Sequence, residues 1–373
     1  MARTKYYRLN RIMEYNSSYK MIIGERSNGK SFAVLERGLE RYFKEGKEIA
    51  YIRRWKEDVT GANGANIFAG VVSNNRITEL SGGKWNSVYC YSGRYYLCRY
   101  EKTERGDNRV TALEPFAYSF ALNASEHYKS NNYPNIGTVI FDEFIPINGI
   151  GLGDQEFMLF MNMLSTIIRD PSREDVEVYM VANTVNWDSP YFKEFGLGNV
   201  RRQKQGTIEY YQYGNSKCSL ALEYCESGST KESKEGDRFF AFDNPHLEMI
   251  TSGAWEMEIY PHCPCKYSPK DVKFRYFLQY NDDLIQADIV LTDDGDYFTY
   301  YHHKTGEIKD TDNDLVFCNT HISSKFNYRL NLFKPYDSIG RTLLSFWTRD
   351  KVFFQDNIVG TILNNYREWC KTI

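Results

Sequence analysis

Near its N-terminus the chain reads Gly24-Glu25-Arg26-Ser27-Asn28-Gly29-Lys30-Ser31, a complete G-x-x-x-x-G-K-S phosphate-binding loop, the Walker A pattern. Its flanks are those the loop needs. Tyr19 to Ile23 is a short apolar run of strand type, and Phe32 to Phe43 carries apolar residues at helical spacing. Gly24 and Gly29 let the backbone curl until its N–H groups point at phosphate oxygens, and the helix N-terminus adds the positive end of a dipole. Residues Gly24, Glu25, Arg26, Ser27, Asn28, Gly29, Lys30 and Ser31 are therefore the expected nucleotide-binding segment. Lys30 would reach the outer phosphates and the Ser31 hydroxyl would ligate Mg2+.

The chain's 373 residues are enough for two domains and a sizeable core. Net charge is −3, so no global basic field draws the protein onto nucleic acid; such contact would need local patches, or a ring of subunits that concentrates a few Lys and Arg. The eight Cys are scattered, Met1 to Asn16 contains no apolar signal segment, and no run has the length of a membrane span. A reduced cytosolic setting without membrane contact is expected. The tightest thiol group, His262-Cys263-Pro264-Cys265, lacks zinc-type Cys-x-x-Cys spacing and a second pair, which favours a plain turn over a metal site; His302, His303 and His321 could join it only by folding.

After the loop helix, Glu48 to Ile52 reads as a second strand, ending in Arg53-Arg54-Trp55-Lys56. At the C-terminal edge of a parallel sheet this cluster is either a nucleotide or DNA contact or a solvated strand end. From Gly61 to about Leu122 the text is irregular, with strand-like pieces at Ser87 to Tyr91 and Arg94 to Tyr100 and a turn at Glu104 to Arg109, and reads as hairpins and a surface loop. Gly137-Thr138-Val139-Ile140-Phe141-Asp142-Glu143 is a buried-type strand running into paired carboxylates, the Walker B pattern with an added glutamate. Asp142 would stand beside Ser31 and hold the metal; Glu143 would polarise the attacking water. Glu156 to Ile168 is a strongly apolar helix ending at Arg169. Val176 to Ala182 is another buried strand, ending in Asn183, which either senses a terminal phosphate or merely starts a turn. Cys225 to Asp237 is charged, poor in apolar residues and expected to be mobile. Three strands at Phe274 to Tyr280, Leu284 to Leu291 and Tyr297 to His302, then helices at Ile339 to Thr348 and Asn357 to Trp369, form a C-terminal domain.

This order of motifs resembles the genome-packaging ATPases of small short-tailed phages with protein-primed linear DNA. The carrying residues are the phosphate loop, Tyr51 to Lys56, Tyr133-Pro134-Asn135 leading to Val139 to Phe144, Ile168-Arg169 and Ala182-Asn183. The resemblance is strongest from Ile22 to Asn183 and weak after about Gly206. It implies an α/β fold of three parts: a P-loop ATPase domain of ASCE type with a mainly parallel sheet (1–206), a small linker (207–266) and an RNase H-like, vestigial-nuclease docking domain (267–373). It further implies ATP and Mg2+ as cofactors. Implied partners are double-stranded DNA, a homo-oligomeric ring (typically a pentamer), the portal of an empty capsid and a scaffold RNA; the implied location is host cytoplasm, with transient residence on the portal vertex.

By the same resemblance Lys30 and Glu143 are catalytic, Ser31 and Asp142 hold the metal, and Asn183 couples hydrolysis to movement. Arg169 would reach a neighbour's ATP as a trans arginine finger, against the alternative of capping its own helix. Lys129 is a second residue for the subunit boundary, or a solvated lysine. Lys56 would face DNA. The first C-terminal strand, Lys273 to Tyr280, carries no carboxylate where RNase H-like nucleases place a metal-binding Asp, so no nuclease activity is expected. The competing readings are a nuclease-competent large terminase, an ATP-dependent switch or docking protein, and a small-metabolite kinase. No Asn-Lys-x-Asp base-reading motif occurs, which argues against guanine.

Overall fold

In the computed structural model the described residues are 6–103, 106–129, 131–146, 151–153, 155–184, 186, 187, 189–226, 260–308, 313–319, 328, 329 and 331–373. The chain divides into two compact units, Met1–Ile147 with Asp154–Trp255, and Asn148–Gly153 with Glu256–Ile373.

The first unit is built on a ten-stranded sheet. Its strands are β1 (Tyr19–Gly24), β2 (Glu48–Arg53), β3 (Ser87–Tyr91), β4 (Arg94–Thr103), β5 (Gly106–Thr111), β6 (Ala117–Ala121), β7 (Ile136–Asp142), β8 (Glu177–Asn183), β9 (Thr207–Gln212) and β10 (Ser219–Tyr224). They lie in the order β3-β4-β6-β2-β7-β8-β1-β10-β9, with β5 on β4. The six central strands, β6 to β10 in that order, are mutually parallel. The flanks are antiparallel: β9 on β10, and β3, β5 and β6 on β4. Apolar runs such as Met21-Ile22-Ile23 and Val139-Ile140-Phe141 form central strands because both faces of a parallel sheet are covered.

The helices are α1 (Asn10–Met13), α2 (Lys30–Glu45), α3 (Gly61–Ala65), α4 (Ala69–Ser73), α5 (Arg76–Leu80), α6 (Glu156–Ile168) and α7 (Pro190–Glu194). The phosphate-loop helix α2 lies so close to the sheet that a methyl group at Gly38 would sit 2.8 Å from Ile49 Cδ1.

Two expectations are corrected here. The stretch from Gly61 is not a surface loop before its hairpins: it forms α3, α4 and α5, buries Phe68 ahead of α4, Val71 in α4 and Ile77 in α5 in the core, and Arg76 pairs with Glu36. The linker does not begin at 207 either. β9 and β10 complete the first unit's sheet, because Leu220, Ala221 and Leu222 supply a buried apolar strand that pairs with β1. The charged stretch after Glu226 and His321 lie outside the described residues.

The second unit holds β11 (Val272–Tyr280), β12 (Asp283–Leu291), β13 (Tyr297–His303), β14 (Val316–Cys318), β15 (Tyr328–Arg329) and β16 (Val352–Phe354), with α8 (Ser338–Thr348) and α9 (Asn357–Thr372). Strand order is β15-β14-β11-β12-β13-β16. The first three strands form an antiparallel meander; β14 adds parallel to β11, and β15 parallel to β14. One face packs Tyr276, Leu278, Ile285 and Tyr301 against Leu343, Ile362 and Tyr366 of the helices. Asp337 and Asp356 cap α8 and α9 through the N–H groups of Gly340 and Val359. Cys263 Sγ donates to the carbonyl of Cys265, closing a turn. Among the described residues no three His, Cys, Asp or Glu converge as a metal site, and no helix is long and apolar enough to cross a membrane.

On the face of this sheet away from the helices, Asp288 of β12 is buried and saturated with donors. Arg275 Nε stands 2.8 Å from Oδ1, Gln286 Nε2 3.0 Å from Oδ1, Tyr267 Oη 3.2 Å from Oδ2 and His302 Nε2 3.3 Å from Oδ2. Burial alone would raise the carboxyl; the hydrogen bonds from His302, Arg275 and Gln286 outweigh it and hold it at about 2. Because this lies below the usual 3.8, the stabilisation is complete above about pH 4 and is lost as pH falls toward 2. Asp288→Asn is expected to cost about 2 kcal/mol at neutral pH, a deficit that narrows between pH 4 and 2. Hydrogen exchange of β11–β13 peptides in the full chain measures it; a deficit independent of pH would contradict the ion-pair account.

Candidate nucleotide site

The site lies at the C-terminal ends of the central parallel strands, where an open α/β sheet leaves a crevice. β8 stands between β1 and β7, so Asn183 pairs in register with Gly24 and Asp142 with Val181. The loop from Gly24 turns into α2 through two residues of positive φ, Ser27 at 58° and Gly29 at 93°. Left-handed residues of this kind let a loop turn its N–H groups toward an anion; here the Lys30 N–H donates to Asn28 Oδ1 at 3.2 Å. The loop's stem is clamped from both sides: Thr184 N–H donates to Gly24 O, and Cys225 N–H to Ile23 O. Cys225 approaches so closely that a methyl group at Gly24 would lie 2.9 Å from its Cβ.

A cavity of about 240 Å³ opens there, lined by residues 27–32, by Asp142 and Glu143, and by the end of β8. Lys30 Nζ donates to Glu25 O (2.5 Å), Gly24 O (3.1 Å), Asn28 Oδ1 (3.1 Å) and Asn183 Oδ1 (3.3 Å). Burial pulls its ammonium down to about 8, against the opposing pull of Cys225, Asp142 and Glu25. Ser31 Oγ donates to Asp142 Oδ1 at 3.0 Å, and Tyr51 Oη donates to Oδ2 at 2.8 Å. Tyr51 is fully enclosed; burial and the Asp142 charge push its phenol far up, so it remains a donor. Glu25 is buried and accepts from Gln205 Nε2 at 3.4 Å, while Arg26 and Ser27 are exposed.

Glu143 adopts a left-handed backbone (φ 57°), a conformation that side chains other than glycine rarely take and that clusters at functional turns. Its carboxylate, largely exposed, pairs with Arg53 Nη2 at 2.6 Å. Arg54 points the other way. It is buried, meets the wholly buried Glu156 at 2.9 Å, and donates to the carbonyls of Glu143 (3.1 Å) and Phe144 (2.7 Å). Tyr191 Oη donates to the same Glu156 at 2.9 Å. The Arg53–Lys56 cluster is thus not one cationic patch, because strand alternation divides it. Arg53 pairs with the Glu143 turn, Arg54 is internal, and Lys56 is exposed on a one-turn 3-10 helix, its N–H donating to Asn123 Oδ1.

Arg169 follows α6 in a tight γ-turn of positive φ (47°, ψ −47°), closed by Asp170 N–H to Ile168 O. Its guanidinium is exposed and donates to the carbonyls of Asn131 (2.6 Å) and Lys129 (3.3 Å), not to those of its own helix. Lys129 is exposed and pairs with Glu126 at 2.6 Å. The structure therefore brings the two expected boundary residues together, and neither lines the cavity. Sequence reasoning missed Tyr51, Arg53 as the Glu143 partner, and Glu156. For the first two a signal existed: Tyr51 and Arg53 alternate on the strand beside Walker B and so share a face.

The sequence profile of the podovirus DNA encapsidation protein (Gp16) family matches residues 1–85 and 111–208, together about half of the chain. The unmatched interval between them holds β3, β4 and most of β5. The DNA packaging protein of Bacillus phage B103 is 27% identical over 187 residues, 50% of each chain. That of Bacillus phage phi29 is 27% identical over 198 residues, 53% of this chain and 52% of the relative. The chain spans about half the length of these relatives. A solved chain of the bacteriophage Phi-29 viral genome packaging motor assembly is similar over 99% of this chain and 100% of its own, with TM-score 0.55 and 19% identity, a likeness of fold. In the matched segments of its first unit, the chain is similar to the podovirus DNA encapsidation protein (Gp16) family.

Proposed function

We propose that the chain is an ATP-driven motor that moves double-stranded DNA into an empty phage capsid. The observation that carries this reading is the convergence of Lys30, Ser31, Asp142, Glu143 and Asn183 on one cavity at a phosphate loop, in a chain whose first unit matches the profile of a DNA encapsidation family. β8 standing between the phosphate-loop strand and the Asp142 strand supports assignment to the ASCE class. Ser31 Oγ and Asp142 form a hard-oxygen donor set with one carboxylate, which suits Mg2+ beside phosphate and its own waters. When bound there, Mg2+ would neutralise charge on the outer phosphates.

The chain's own residues supply the rest. Loop N–H groups and Lys30 hold the phosphates. Glu143 takes the proton of a water that attacks the γ-phosphorus as the bond to the bridging oxygen breaks and ADP leaves. Arg53 donates to Glu143 Oε2 and so orients the carboxylate, whose remaining lone pairs can accept the proton. Asn183, bonded to Lys30, would report the phosphate state to β8.

Arg169 and Lys129 would form the face presented to a neighbouring subunit's nucleotide in a ring, with five subunits as the proposed number. Lys56 would touch the DNA backbone. Portal attachment, a scaffold RNA and a host-cytoplasmic location complete the reading. The second unit's strand order β13-β12-β11-β14-β15, antiparallel for three strands and then parallel, supports an RNase H-like assignment. With no carboxylate on β11 and Asp288 already engaged by four donors, that unit would dock rather than cleave.

The test is the ATP hydrolysis rate against duplex DNA over a range of protein concentration. Expected are stimulation by DNA that steepens with concentration, and partial recovery when Arg169→Ala subunits, themselves impaired, are mixed with Glu143→Gln subunits. A rate indifferent to both DNA and concentration would overturn the motor.

A further inference from the structure

The segment ahead of the first strand is fastened to the phosphate loop. Tyr7 N–H donates to Asn28 O at 2.8 Å, and Tyr7 Oη donates to Glu223 Oε2 at 2.7 Å. Ile12 in α1 is wholly buried and anchors the segment from its other side. Between these fixed points and the solvent stands Tyr6, with 65% of its surface exposed. A methyl group at Gly29 would lie 3.3 Å from Tyr6 Cδ1 and 3.4 Å from Tyr6 Cβ, so the ring rests on the loop at the residue directly before Lys30. Other rings near the loop are engaged: Tyr51 is bonded to Asp142, Tyr224 is buried and Phe32 packs on the core.

An exposed aromatic ring whose backbone is already pinned loses little freedom when a flat ligand covers it. The cavity accounts for the phosphates; the one ring among its lining residues, Phe32, is half-buried against the core, whereas Tyr6 is exposed. We propose that Tyr6 is the platform on which the nucleotide's base stacks, which extends the site from a phosphate cradle to a nucleoside-triphosphate site. The inference rests on the ATP reading above. Stacking uses the π-face common to all bases, so Tyr6 contributes affinity for the base without choosing between adenine and guanine.

The test compares three ligands on the full-length protein by calorimetry in Mg2+: ATP, GTP and inorganic tripolyphosphate, which has phosphates but no base. In Tyr6→Ala, ATP and GTP are each expected to bind about tenfold more weakly, with tripolyphosphate unchanged. Tyr6→Phe is expected to keep wild-type affinity for all three, since the ring and not the hydroxyl does the stacking. Unchanged ATP binding in Tyr6→Ala overturns the proposal. So does an equal loss for tripolyphosphate, which would mean that Tyr6 only props the loop. A wild-type chain that binds none of the three overturns the nucleotide reading itself, and this proposal with it.

Discussion

Glu143→Gln is expected to lower the hydrolysis rate about 10²–10⁴-fold while ATP affinity stays within about a factor of two. The amide keeps the size and hydrogen-bonding reach of the carboxylate but cannot take a proton from water. Lys30, the loop N–H groups and the Ser31–Asp142 pair are untouched, so the phosphates retain their partners. The amide also loses the ionic half of the contact to Arg53. Single-turnover hydrolysis beside equilibrium ATP binding separates these effects. A rate within tenfold of wild type would remove Glu143 from the chemistry and leave the cavity as a binding site only.

Arg54→Met is expected to destabilise the first unit by about 3–5 kcal/mol, the cost of removing one member of a buried ion pair. Glu156 is wholly enclosed, and the variant removes its charged partner while the Tyr191 hydroxyl still reaches it. The same substitution removes two donors from the carbonyls of Glu143 and Phe144, so the turn that presents Glu143 loses its support. Hydrolysis should therefore fall together with stability. The double variant Arg54→Met, Glu156→Leu should regain much of the stability and little of the activity, since it removes the stranded charge but not the loss of support. Urea unfolding and hydrolysis rates on the wild type and the two variants check this. A single variant as stable as wild type would show that water reaches Glu156.

Much of the site was legible because its motifs are contiguous. Gly24 to Ser31 demands a strand before it and a helix after it, and β1 and α2 are found there. Asp142-Glu143 ends a run whose apolar residues can only be a central strand. Helix α6 follows from its apolar content alone, and the C-terminal meander from strands separated by Asn281-Asp282 and Asp293-Asp294-Gly295 turns. The failures have a common physical origin. The glycine- and asparagine-rich text after Gly61 looked irregular because α3, α4 and α5 are single turns, too short for periodicity to register. They are helical because Phe68, Val71 and Ile77 find a core against α2.

The residues alone determined the phosphate loop, the paired carboxylates and the strands and long helices that flank them, since each depends on neighbours within a few positions. Only the tertiary structure decided which strand lies beside which, and hence that Asn183 meets Lys30 and Tyr51 meets Asp142. It also decided how adjacent arginines divide their work, Arg53 to the exposed glutamate and Arg54 to the buried one. Partner choice for a charged side chain depends on burial and on residues about a hundred positions away. Local pattern carries no record of either.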